Sequence, residues 1–234
     1  MDFIGAYSVE NLLFLLKGFL VTLEVAFLSI ILSFLIGSML GMLRYTRIPV
    51  LSHIVAAIVE TIRNLPLLFI IFFTYFALPE VGLQLSISAA AVTALTVFES
   101  AMIAEIVRGG LNSVPNGQIE AARSSGLTYT QTLWHIILPQ GMKKMIPPLV
   151  SQFISLLKDT SLAIVIALPE VLHNAKVIYN GNIQYVAPIL LLTAFLYFAV
   201  NYVLSFLSIR LERRLDPDDG TVPKSHLQKQ PKTA

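Results

Sequence analysis

The chain has 234 residues, of which 56% are hydrophobic and only 13% charged, and its mean hydropathy is +0.75. A soluble domain carries about 25% charged residues, so this composition excludes an ordinary water-soluble fold and makes a bilayer the expected solvent. With no cysteine, disulfides, thiol catalysis and Cys-type zinc sites are excluded too, while a formal charge of +2 says less about partners than where the charges fall.

A hydrocarbon core of about 30 Å takes about 20 helical residues to cross. No Lys or Arg precedes Lys17, and no small-residue cleavage site follows the first apolar run, so that run is expected to stay in the mature protein. Apolar stretches of spanning length fall at 19–43, 51–77, 87–107, 147–168 and 186–209. The expected fold is therefore all-α and integral to the membrane, with five transmembrane helices within residues 19–215. In the first span Gly37 and Gly41 have the small-xxx-small spacing that lets helices approach closely. Pro66 should kink the second span, as a gating element or merely as helix shape. The third span is the least hydrophobic, rich in Ala and Ser.

Charge in the connectors gives orientation. Arg44, Arg47, Arg108, Arg123, Lys143, Lys144, Arg210, Arg213 and Arg214 fall on one side, against Lys17 and Lys176 on the other. Nine against two puts the N-terminus outside and the C-terminus in the cytosol. Residues 1–18 then form an extracytoplasmic segment. The tail 216–234, rich in Lys, Gln and Pro, lacks apolar residues to bury and is expected to be disordered.

The cytosolic connector 109–144 is too polar to span. Gly109-Gly110 and Pro115 break the helix leaving the membrane, residues 118–125 can form a short helix, and Gly126 ends it. Thr128 or Thr130 can cap a second helix toward Leu138, which Pro139 should stop. Leu133, Ile136 and Ile137 share one face of that helix, and Trp134 and Leu138 another flank. Two short, partly apolar helices at a glycine suit docking to a partner; a helix lying on the lipid surface is the plain alternative.

Glu120-Ala121-Ala122, Gly126, Ile136 and Leu138-Pro139 match, position for position, the EAA pattern of binding-protein-dependent ABC permeases. Arg63-Asn64-Leu65-Pro66-Leu67, the run from Ala104 to Gly110, and Lys158-Asp159-Thr160-Ser161-Leu162 resemble the polar amino acid branch of that family. The resemblance covers roughly residues 18–214. It implies a permease domain of five helices working with a second permease chain, identical or paralogous. It also implies two cytosolic ATPase subunits that carry ATP and Mg, and an extracytoplasmic solute-binding protein that delivers a polar amino acid. The bacterial cytoplasmic membrane is the implied location. The loop, through Glu120, Ala121, Ala122, Gly126, Ile136, Leu138 and Pro139, would seat in the ATPase and couple its cycle to alternating access. This chain would hydrolyse nothing and bind no cofactor itself. It lacks a phosphate-binding Gly-Lys-Ser/Thr loop, its four histidines are scattered without a metal pattern, and no nucleic-acid partner is expected.

Charges inside the spans point to a transport path. An ionised side chain near mid-bilayer costs at least about 2.5–3.5 kcal/mol and usually faces a cavity or a partner. Glu60, Arg63, Glu99, Lys158 and Asp159 are such residues. At 1.5 Å per residue, Glu99 and Asp159 lie at depths that differ by about 6 Å, so Glu99, Lys158 and Asp159 can share one polar layer. Gln152, Ser155 and Asp159, at i, i+3 and i+7, form one stripe. The stripe is expected to line the substrate cavity, with Asp159 suited to an ammonium and Lys158 bridging to Glu99. A purely structural ion-pair network is the alternative, and Glu60 and Arg63 can neutralise each other one turn apart. An ion-gradient-driven secondary transporter would also explain buried charge, but it usually shows inverted hydropathy repeats, which these spans lack. The polar stripe favours glutamine or glutamate over arginine or histidine as cargo.

Overall fold

The computed structural model describes residues 1–215, and no strand occurs among them. The predicted tail 216–234 lies outside the described residues. Ten α-helices follow in chain order: α1 (Phe3–Ala6), α2 (Val9–Tyr45), α3 (Leu51–Arg63), α4 (Leu67–Phe72), α5 (Ile87–Asn112), α6 (Asn116–Ser124), α7 (Tyr129–Thr132), α8 (Leu138–Asp159), α9 (Val171–Gly181) and α10 (Val186–Leu215). Four continuous helical stretches are long and apolar enough to cross a membrane, and a bent pair makes a fifth span. The count of five therefore stands, with one span of different construction.

That span is the second. Residues 51–77 were expected to form one kinked helix, but Leu51–Arg63 and Leu67–Val81 meet at 100°. Asn64 closes α3, its Nδ2 donating to the Glu60 carbonyl at 2.7 Å. Pro66, with no N–H to give and an extended ψ of 131°, then starts α4 in a new direction.

Pro139 does not stop the loop helix, contrary to the sequence expectation. α7 starts with a capping box between Thr128 and Gln131 and passes through a π-helical turn, Leu133–Ile137, directly into α8. In the π turn the N–H of Leu138 reaches the Leu133 carbonyl five residues back. The widened turn relieves the ring of Pro139 from the carbonyl it would otherwise strike. Loop helix and fourth span are thus one helical stretch, Tyr129–Ile166.

Helix α5 is the centre of the bundle. Just over half (56%) of its most apolar window is buried inside the chain, against 11% for the stretch containing α10. Its Ala-rich sequence now has a cause: Ala90, Ala91, Ala94, Ala101 and Ala104 are fully buried against protein, so large lipid-facing side chains are not needed. Helix α2 lies along it. A Cβ at Gly37 would stand 2.8 Å from the Ser100 carbonyl oxygen, and one at Gly41 would stand 2.6 Å from that of Ala104. The Gly37/Gly41 spacing therefore serves helix packing. Gly41→Val should lower the thermal unfolding midpoint of the detergent-purified chain. Overpacking of this kind costs about 1–3 kcal/mol, and each kcal/mol is worth about 2–4 °C at this size. An unchanged midpoint would mean that α2 can retreat freely.

Helix α9, between the fourth and fifth spans, was not anticipated. It packs against α2 and α10, with Val171 and Ala175 fully buried.

Candidate functional site

The polar layer forms on α5 and α8. Glu99 is completely buried, and Gln152 Nε2 donates to its Oε2 at 2.9 Å. Its other oxygen, Oε1, is buried without a partner, as are the hydroxyls of Thr96 and Ser100 on the same helix. Gln152, Ser155 and Asp159 are half-buried and follow one stripe of α8 down to its last residue.

Lys158 does not bridge to Glu99. It is exposed, and no ion pair joins the two among the described residues. The reason is azimuth: six residues separate Gln152 from Lys158, so with Gln152 turned toward α5 its neighbour is turned about 240° away. The partner of Glu99 is an amide, not an ammonium.

A second charged group lies at the end of the bundle that carries α6 and α7, here termed the loop end. Arg44, closing α2, has a side chain only 9% exposed and pairs with Glu105 at 2.7 Å and Glu60 at 3.2 Å. Arg63 pairs with Glu60 at 3.3 Å and approaches Glu105 at 3.8 Å. Arg108 completes the set through Glu105, its Nε donating at 3.1 Å. Glu60 and Arg63 do pair as expected, but within a five-residue network tying α2, α3 and α5 together. Arg63, assigned to the substrate path from sequence, belongs to this network. Charges closing three neighbouring spans at one level were the available signal for it.

The loop presents a mixed surface. Glu120, Ala121, Gly126 and Pro139 are exposed, Ile136 and Leu138 are half-buried, and Ala122 is buried. Ala122 therefore faces the bundle rather than outward. Gly126 has the positive φ of 89° that its turn requires, and Leu127 N–H closes the end of α6 onto the Ala122 carbonyl at 3.2 Å. A cavity of about 320 Å³, lined by Tyr45, Arg47, Asn112, Asn116 and Tyr129 among others, separates α6 from the ends of α2 and α5.

A membrane bundle with a buried polar layer and this exposed loop matches one family model across residues 33–217, described as the binding-protein-dependent transport system inner membrane component. The chain belongs to this family. It is 66% identical over 217 residues to the "Probable glutamine ABC transporter permease protein GlnP" of Bacillus subtilis (strain 168), covering 92% of this chain and 99% of that one. It is 36% identical over 203 residues to the "Glutamine transport system permease protein GlnP" of Escherichia coli (strain K12), covering 86% and 92%. Among solved structures, it resembles one described as an amino acid ABC transporter with histidines. There the TM-score is 0.85 at 30% identity, over 92% of this chain and 99% of that one.

In this member of the inner membrane component family, two carboxylates besides Glu105 escaped the sequence reading. Glu170 is fully buried and caps α9, accepting from the N–H of Leu172 at 2.9 Å, the N–H of His173 at 2.7 Å and the hydroxyl of Tyr197 at 2.9 Å. Nothing local marks it, because Tyr197 is on α10. Glu24, exposed on α2, lines a cleft of about 240 Å³ with Ser88 and Pro169 at the end opposite the loop. A lone acid in a long apolar run was a legible signal for Glu24.

Proposed function

We propose that this chain is the membrane-spanning subunit of an ATP-driven importer of polar amino acids, with glutamine as its cargo. The observation that carries the reading is 66% identity, along nearly the whole chain, to a protein named as a glutamine permease. In this reading the N-terminus is outside, the loop end faces the cytosol, and the location is the bacterial cytoplasmic membrane. Two permease chains form the path, two ATPase subunits with ATP and Mg drive it, and an extracytoplasmic binding protein delivers cargo. Residues 19–215 act as the permease domain. Exposed Glu120 and Ala121 meet the ATPase, with Gly126, Ile136, Leu138 and Pro139 shaping the coupling loop around them and Ala122 anchoring it.

Glutamine suits the polar layer chemically. Glu99 and Asp159 offer acceptors for the cargo's ammonium and side-chain amide, while Gln152 and Ser155 can donate to its carboxylate or side-chain carbonyl. A buried carboxylate left with one unpartnered oxygen is costly to the empty protein, and a donor-bearing cargo would offset that cost. Lys158 enters only as the cation beside Asp159. The test is uptake of labelled glutamine into proteoliposomes holding the purified complex, with binding protein outside and ATP inside. ATP-dependent glutamine accumulation, competed by glutamine more than by arginine or histidine, is expected. Uptake that follows an ion gradient without ATP, or prefers arginine, would overturn the proposal.

A further inference from the structure

The cavities of the chain differ in lining, and one is almost wholly apolar. About 340 Å³ lies between α2, α5 and α8 toward the loop end, and Ser38 is the only polar residue among its eleven lining residues. Phe34 and Phe153 meet edge-on, with ring centroids 6.3 Å apart, and both line this space. Met42, Met142 and Met145 supply much of the rest. Phe34 and Met142 are 42% and 49% exposed, so the space is open from outside the chain. All three helices belong to membrane-spanning stretches. An apolar groove open to the outside of a membrane-spanning bundle is suited to hydrocarbon rather than water. Methionines give a pliable wall that can adapt to a flexible chain.

Charge at the shallow end of the groove narrows the occupant. Lys143 precedes the lining residues Ile146 and Val150 by three and seven positions, so it stands on their flank of α8, nearer the loop end. It is exposed, and no acidic residue occurs on α8 from Leu138 to Lys158. An apolar trough with a cation at its headgroup end is complementary to an anionic lipid.

The geometry points to a binding site for one anionic phospholipid, with an acyl chain in the groove and the headgroup phosphate on Lys143. Because α8 continues into the loop while α5 is the buried centre of the bundle with α2 along it, the lipid would tie the loop-bearing helix to that centre. This assignment is independent of the transported substrate.

Native mass spectrometry tests it directly. The intact complex is taken from vesicles of equal phosphatidylglycerol and phosphatidylcholine. One retained phospholipid per chain is expected, enriched at least about fivefold in phosphatidylglycerol, since one lysine near the surface is worth about that factor. Lys143→Gln, a surface change that leaves folding intact, should abolish the enrichment while a lipid is still retained. Met142→Trp should fill the mouth and release the lipid, with its circular dichroism spectrum showing that the helices persist. Retention without headgroup preference, retention unchanged by both substitutions, or cross-linking from Met142→Cys to a second copy or an ATPase subunit would overturn the assignment.

Discussion

Asp159→Asn should reduce glutamine uptake by at least about tenfold while the complex still assembles at wild-type yield. The substitution keeps the shape of the side chain and removes only its charge. Asp159 ends α8 half-buried, on the stripe whose upper member bonds Glu99. A hydrogen bond to a charged group contributes about 1.5–3 kcal/mol, and 1.4 kcal/mol is a factor of about ten. If the carboxylate meets the cargo's ammonium, the loss should fall on uptake and on substrate-stimulated ATP hydrolysis together. Full uptake by an assembled mutant would remove Asp159 from the path, leaving the polar layer a structural feature. A drop in assembly instead of transport would make the aspartate an anchor.

The second large effect concerns stability. Glu170→Ala should be among the most damaging single substitutions outside the α2–α5 seam. Two backbone N–H groups and the Tyr197 hydroxyl lose their acceptor at a fully buried position. Each stranded donor costs about 1–3 kcal/mol, and the vacated volume adds a cavity term. A total of about 3 kcal/mol or more should lower the thermal midpoint in detergent by about 6 °C or more. The residues of α9 should also become open to protease. Thr22, whose Oγ1 accepts from Val171 N–H at 3.2 Å, holds the same helix start from α2, so Thr22→Val should weaken it further. A melting curve unchanged by Glu170→Ala would show that α9 is fixed by its apolar contacts alone.

Much of the architecture was legible because the bilayer imposes a length and a polarity on each span. Runs at 19–43, 87–107 and 186–209 fall within α2, α5 and α10, although α2 begins ten residues earlier, at Val9. The turn at Gly126 was legible because its backbone conformation needs glycine. The break at Pro66 was visible as a position but not as an angle, since the 100° bend depends on how Asn64 closes one helix and where the next one packs. Pro139 misled because proline stops regular α-helix, and a π turn alters the bonding it disturbs. The depth estimate put Glu99 level with Lys158 and Asp159, but its partner is Gln152, six and seven residues earlier on α8, because facing across two helices depends on their relative rotation and offset. Glu170 was invisible for a related reason: its partners come from elements distant in sequence.

The unbroken run from Tyr129 to Ile166 has a mechanical meaning. A hinged loop would dissipate a displacement in its own bending. A single helical stretch passes it along its axis, so a shift applied at Tyr129 reaches Asp159 about 45 Å away. The π turn at Leu133–Ile137 and the Pro147-Pro148 pair inside α8 are the softer places in this strut and set how much of a sideways push is absorbed before it reaches the polar layer.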